Sequence, residues 1–584
     1  MFKNSLRTLP RPRHARRILL CVSILLSAVA TESSLVGSPP PPPACFNLTG
    51  FWCCETTNVT QSTDGASLTT TADYGTGVGS VSGHALSVNF SNAAALVNGT
   101  ISPDCNAIAW TDGASWVRAS PPWQPSVAAP SWARTLSGIL EINPLAYTSP
   151  AGNGTGDGSG TWASLLPKVA HLKSLGVGSV WVAYYNVATA HFYGIRSVYA
   201  AMDPMTLDDT LGSVTDFDAF VSACHDAGIK VFLDVIGHGL VNESKWVANH
   251  PEWFSGGSWG MVDYDYSSPG FLAWWSSLWL EYVLGRHVDG FRIDIADPSW
   301  WRTGVWDDIT SAAHAGGRDI AVWGEGSRYH FSQHDFSAPL ANMTASVQSA
   351  QREGHCLNTL QFSCHDSGWE SAPGNYFFLR GSRAHFAYGA LSPFIPLWLG
   401  GDEYDEDPVR DLPSLKKDLF GKSGLPGGWM YGSARDWSQL DAPGGRQLHM
   451  LADTTAILAV QGSHADVLHR DACATQIISI GDRVGVASAP LPLDPYARFV
   501  SGTKAVLVIA STGSLTQHVN VDVPLDEFGF GGVAFFDVAV VYGGGDNNST
   551  QRMTANALGA LGLQLTADKV PGGGALVVVI TPTS

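Results

Sequence analysis

Long apolar runs are missing from this chain. The most hydrophobic stretch, Ile18–Ala30, is thirteen residues, well short of the ~20 that span a bilayer. Charge is scarce as well: 14% of the 584 residues are Asp, Glu, Lys or Arg, against 45% hydrophobic. That balance describes a globular chain with ample material for a core, not a disordered one. The length predicts about two to four domains. Positive charge is the scarcer sign. The formal net charge is −18, and six of the 33 basic residues (Lys3, Arg7, Arg11, Arg13, Arg16 and Arg17) lie in the first seventeen positions. Beyond them the acidic surface repels phosphate backbones and anionic membranes, so no nucleic-acid partner is expected. No GxGxxG or Walker A pattern occurs, since Gly421-Lys422-Ser423 lacks the upstream glycine, and a phosphate-cradling turn is not expected. Cys45, Cys53, Cys54 and Cys105 lack paired CxxC spacing, which weighs against a structural zinc site.

What is present begins with an export signature. The basic stretch leads into ILLCVSILLSAVA, which closes on Ala28-Val29-Ala30. Such a segment is a secretory signal peptide over 1–30, with an uncleaved membrane anchor as the alternative. Secretion is expected, without stable membrane insertion. Nine N-x-S/T sequons, at Asn47, Asn58, Asn89, Asn98, Asn153, Asn242, Asn342, Asn547 and Asn548, point to a glycosylated surface. Eight cysteines follow the leader, an even number suited to an oxidising compartment. Cys45, Cys53, Cys54 and Cys105 could form two bridges, whose connectivity the spacing leaves open.

Texture divides the rest. A proline-rich linker (31–44) precedes short alternating runs such as SVSGHALSVNF, which read as a small antiparallel β domain over 45–126. From 127 to 465 apolar runs alternate with longer amphipathic stretches. GILEI, VGSVWVAY, IKVFLDV, VDGFRIDI, DIAVWGE, TLQFSC and FIPLWLG are seven strand candidates, and Tyr329–Phe336 could supply an eighth. Repeated strand–helix units of this kind predict an α/β fold, a (β/α)8 TIM barrel. Val-rich runs between Gly, Pro and Asp clusters over 466–584 predict a C-terminal β-sandwich.

Catalytic groups of such barrels stand at the C-terminal ends of the strands. Those positions hold Asp234 and His238 after the third strand, Arg292 and Asp294 on the fourth, Glu325 on the fifth, and His365 and Asp366 on the seventh. This is more polarity than a fold carries at one rim without a task. Arg292 and Asp294 are two apart, so they share a face. The guanidinium is expected to lower the Asp294 pKa and leave a nucleophile. Glu325 has no cation beside it on its own strand, and an apolar pocket would keep it protonated to serve as a proton donor. Two carboxylates with opposed pKa shifts are what retaining glycoside hydrolysis requires. Gly256-Gly257-Ser258-Trp259-Gly260 matches a serine nucleophile elbow, but its flanks read as loop.

The segments FLDVIGHG, DGFRIDIAD, VWGEG and FSCHD resemble, in order, the four signature regions of the α-amylase family, glycoside hydrolase family 13; YGIRSVYAAMDP, WGMVDYDY and LGGDEY are similar too. The resemblance covers about Arg134 to Ser584. It implies that Asp294 is the nucleophile, Glu325 the acid/base, and Asp366 the carboxylate that grips the sugar ring. Arg292 would orient Asp294, His238 and His365 would hold sugar hydroxyls, Tyr193 would stack on the sugar, and Asp234 would support the others. The implied substrate is an α-glucan or malto-oligosaccharide, with transglycosylation, or a non-catalytic binding protein on the same fold, as alternatives. Two departures bear on metal. Gly237 replaces the family's calcium-liganding Asn, and Asp297-Pro298 replaces its Lys-His, so no cofactor is expected and calcium is doubtful. Trp259, Trp300 and Trp369 are further near-site candidates by position.

Overall fold

A computed structural model describes residues 50–583 apart from 53–56, 62–66, 73–74, 83–84, 91–96, 103–106, 112–114, 118–123, 149–158, 190–197, 258–259, 334–341, 366–381, 407–434, 487–490, 514–515, 544–549 and 567–572. The leader, Cys45, Cys53, Cys54, Cys105, Tyr193, Ser258, Trp259, Asp366 and Trp369 therefore lie outside the described residues. The chain forms two compact units, 1–122 and 123–584.

The first unit is a meander of eight antiparallel strands between Gly50 and Val117, paired in sequence order. Alternation explains it. Leu68 and Thr70 are buried while Ser67 and Thr69 are exposed, and Leu86 and Val88 repeat the pattern. Val59, Leu68, Leu86, Val88, Ile101, Ile108 and Trp110 make its core.

In the second unit the barrel expected from the sequence is present. Its strands are Ile139–Ile142, Ser179–Val182, Lys230–Ile236, Gly290–Asp294, Ala321–Glu325, Phe331–Gln333, Thr359–Gln361 and Ile395–Leu399. Their order around the sheet is sixth to first, then eighth and seventh, all parallel. The strands are covered on both faces, which is why they read as continuous apolar runs. The sixth and seventh strands close the ring through side chains: the Thr359 hydroxyl donates to the Ser332 carbonyl at 2.9 Å, and the Gln333 and Gln361 amides meet. Trp181, Phe232, Trp323, Phe331 and Leu397 fill the interior. The outer helices carry their own start signals. Val214–Asp226 begins with a Ser213–Asp216 capping box, and Pro269–Leu280 with Ser268 and a first-turn proline. At Gly290, which opens the fourth strand, φ is +153° and a Cβ would lie 1.8 Å from the Ala321 carbonyl oxygen. Only glycine lets the fourth and fifth strands meet there.

Residues 476–583 add a six-stranded and a three-stranded antiparallel sheet around Leu507, Ile509, Val519, Phe528, Phe536 and Val578. This part and the barrel belong to one compact unit. Arg470, fully buried, donates to the carbonyls of Leu136, Ser137, Ala390, Ser392 and Phe394 at 2.7–3.1 Å. Those carbonyls precede the first and eighth barrel strands. Cys356 and Cys473 form a disulfide, and Cys224 and Cys364 are buried thiols. No described helix is long and apolar enough to cross a membrane.

Candidate active site

The site grows from the fourth and fifth strands. Ile293 pairs with Gly324, so Asp294 and Glu325 are the next residues on adjacent strands, which in any parallel sheet lie ~4.8 Å apart. Arg292, two residues before Asp294 and on the same face, is wholly buried. Its Nη1 lies 2.6 Å from Asp294 Oδ1 and 3.2 Å from Asp234 Oδ1; its Nε donates to Gln333 Oε1 at 3.2 Å. Its Nη2 stands 2.8 Å from Glu325 Oε2. That last approach is a charge contact, not an aligned hydrogen bond. One cation thus serves three carboxylates.

This sharing corrects two expectations. Burial pushes the Asp294 carboxyl well above the usual carboxylate range, the Glu325 and Asp234 charges push the same way, and Arg292 only partly offsets them. Asp294 is not held low, because a guanidinium divided among three acids cannot outweigh the desolvation of each. Glu325, in turn, does not stand alone in an apolar pocket. Arg292 reaches it, and its side chain is 34% exposed. Arg328 turns away, toward the Leu357 carbonyl and Asn358.

Asp234 on the third strand is fully buried, contacted by Arg292 and by the Tyr199 hydroxyl at 2.5 Å. His238 Nε2 lies 3.9 Å from Asp294 Oδ2. Burial takes the His238 imidazole down to about 4, so it is neutral at pH 7. Immediately after the nucleophile candidate, Ile295 adopts φ +43°, strained for a β-branched residue. The strain is held by Glu325: its Oε2 accepts the Ile295 N–H at 3.1 Å and its carbonyl the Ala296 N–H at 2.9 Å.

Sequence reasoning missed Glu141, Tyr199 and Gln333. Glu141, on the first strand, is 1% exposed and holds His365 Nδ1 at 2.6 Å and the His365 backbone N–H at 3.0 Å. Tyr199 packs on the His365 ring at 4.7 Å. A lone acid inside the apolar run ILEI was the available signal for Glu141. Asp294, Glu325, Asp234, Arg292 and His238 converge, and His365 joins them through Tyr199. Asp366 and Tyr193 cannot be placed among them.

The described residues do not fit a calcium ligand at position 237. A Cβ there would lie 2.4 Å from Trp300 Cζ3; Trp300 stacks on Tyr266 at 5.0 Å, and the Tyr266 hydroxyl donates to the Gly237 carbonyl at 2.9 Å. Asp265 is engaged by Ser267. Glu141, Cys364 and His365 bring ligand atoms within 4.8 Å of one another, but the Glu141–His365 hydrogen bond already accounts for that closeness, and Cys364 Sγ accepts from Gln361.

Residues 146–254 match the family described as "Alpha amylase, catalytic domain". An α-glucosidase of Culex pipiens is 23% identical over 230 residues, covering 32% of this chain and 37% of the relative. A trehalose-6-phosphate hydrolase of Bacillus subtilis is 27% identical over 117 residues, covering 20% and 19%. The chain thus spans well under half the length of these curated relatives. Among solved structures, a trehalose-6-phosphate hydrolase of Bacillus licheniformis superposes with TM-score 0.54 at 13% identity, covering 77% of this chain and 100% of that one. An α-amylase of Geobacillus thermoleovorans gives 0.54 at 13%, covering 78% and 100%. At such identities the superpositions speak for the fold alone. Over residues 146–254 the chain is thus similar to the α-amylase catalytic domain, and its (β/α)8 barrel is the fold that the superposed structures share.

Proposed function

We propose that the protein is a secreted retaining glycosidase acting on α-glucosidic bonds of starch-like or malto-oligosaccharide substrates. The observation that carries the reading is the Arg292 bridge, which keeps Asp294 and Glu325 together at neighbouring strand ends. Neighbouring strand ends favour the short separation that direct attack needs, whereas an inverting pair leaves room for a water. The names of the similar proteins, an α-glucosidase and a trehalose-6-phosphate hydrolase, support the α-glucoside class. Asp294 attacks the anomeric carbon while Glu325 gives its proton to the leaving oxygen. Glu325 then takes a proton from water, which displaces Asp294. Arg292 holds both carboxylates, neutral His238 bonds a sugar hydroxyl, and Asp366 steadies the ring as positive charge develops. Proton NMR of early turnover should show the α-anomer first from an α-linked substrate; the β-anomer appearing first would overturn double displacement. A product profile on starch, pullulan, maltose, sucrose and trehalose identifies the glycan. For export, N-terminal sequencing of the secreted protein should find a start after Ala30.

A further inference from the structure

Burying a carboxylate costs several kcal/mol unless donors compensate it, so Glu141 at 1% exposure asks for an explanation. Both of its oxygens are spent on a single residue: Oε1 on His365 Nδ1 at 2.6 Å, and Oε2 on the His365 backbone N–H at 3.0 Å. The ring is confined on two further sides, by Tyr199 at 4.7 Å and by Trp181 edge-on at 5.6 Å. Tyr199 also joins His365 to Asp234, with its hydroxyl 3.4 Å from Nδ1 and 2.5 Å from Asp234 Oδ2. From Asp234 the contacts continue through Arg292 to Asp294. A chain of polar contacts therefore runs from the first strand to the nucleophile candidate on the fourth.

We propose that Glu141 is a positioning residue: it fixes the tautomer and tilt of His365, so that Nε2 is the ring nitrogen turned toward the sugar. A carboxylate that accepts Nδ1–H fixes which imidazole nitrogen remains for a ligand. The second bond, to the His365 backbone N–H, removes the swing that would carry His365 out of line. The proposal rests on the glycosidase reading, since without a sugar there is nothing for His365 to meet.

The test compares Glu141→Gln and Glu141→Leu in the full chain, assayed on maltotriose. Gln keeps an acceptor for Nδ1–H, whereas Leu removes both acceptors at similar volume. Expected are falls in kcat/KM of about 10-fold for Gln and about 100-fold for Leu, with kcat reduced as well as KM raised and melting temperatures close to wild type. His365→Asn should make the Leu substitution nearly silent. Nitrogen-15 NMR of the ring should show a proton fixed on Nδ1 in wild type and shared between the nitrogens in Glu141→Leu. Effects that add to those of His365→Asn, or unchanged kcat and KM in a folded variant, would overturn the proposal. An inactive wild type would instead overturn the glycosidase reading, and the ring spectra would still decide for or against Glu141.

Discussion

Gly237 and Trp300 fill one another's space, for a Cβ on residue 237 would stand 2.4 Å from the indole Cζ3. Trp300 reaches that place from the short helix Pro298–Trp301, whose cap is Asp297. Gly237 and Asp297-Pro298 thus meet at Trp300, whose ring occupies the space that a side chain at 237 would need. A strong chelator should leave activity and melting temperature unaltered. Trp300→Ala should cost about 2 kcal/mol of stability, less than a fully buried ring would, and calcium should not restore it. Gly237→Asn should destabilise through the clash. A chelator-induced loss that calcium reverses would refute this account.

Asp294→Asn should reduce turnover by at least ~10³ and raise the melting temperature at neutral pH. The sign follows from burial. The folded-state pKa of Asp294 lies above its unfolded value, so the stability contribution of this group is complete below the unfolded value, near 3.8, and is lost as pH rises through the folded one. The advantage of the Asn variant should accordingly vanish near pH 4 and grow toward neutrality. In the wild type, the acid limb of kcat/KM should have its midpoint above the ordinary carboxylate range.

Glu325→Gln removes the proton donor but leaves the nucleophile. Turnover of malto-oligosaccharides should fall by ~10² or more, while α-glucosyl fluoride, whose leaving group needs no proton, should still glycosylate Asp294. Equal loss on both substrates would assign Glu325 a different task.

The Cys356–Cys473 bridge spans 117 residues. Replacing both cysteines by serine should lower stability by about 5 kcal/mol, the loop-closure expectation for that length, with kcat per folded molecule unchanged. Thermal melts with and without reductant provide the check.

The barrel was legible because its strands are short apolar runs with chemistry at their ends. Even the sixth strand, the weakest, was found at Phe331–Gln333 inside the expected 329–336. The positions of Asp294 and Glu325 at the ends of the fourth and fifth strands were legible because these residues close apolar runs. The division of Arg292 among three acids was not, since same-face spacing on one strand reveals the Asp294 contact and conceals those to neighbouring strands. Glu141 escaped for a related reason: the lone acid in ILEI marks the residue, but its partner lies 224 residues away. Tyr199 was hidden among motif aromatics, where composition alone does not say which ring reaches the site.

Arg470 imposes an order on the making of this protein. The carbonyls it satisfies stand beneath the first and eighth barrel strands, yet the arginine itself comes after the last barrel helix, Arg446–Ser463. A nascent chain halted at residue 465 has every strand of the ring but not its fastening, and five carbonyls without their donor, each a penalty of about 1–3 kcal/mol if buried. The barrel should therefore lock only after the ribosome has passed Arg470, together with the sheets that follow it.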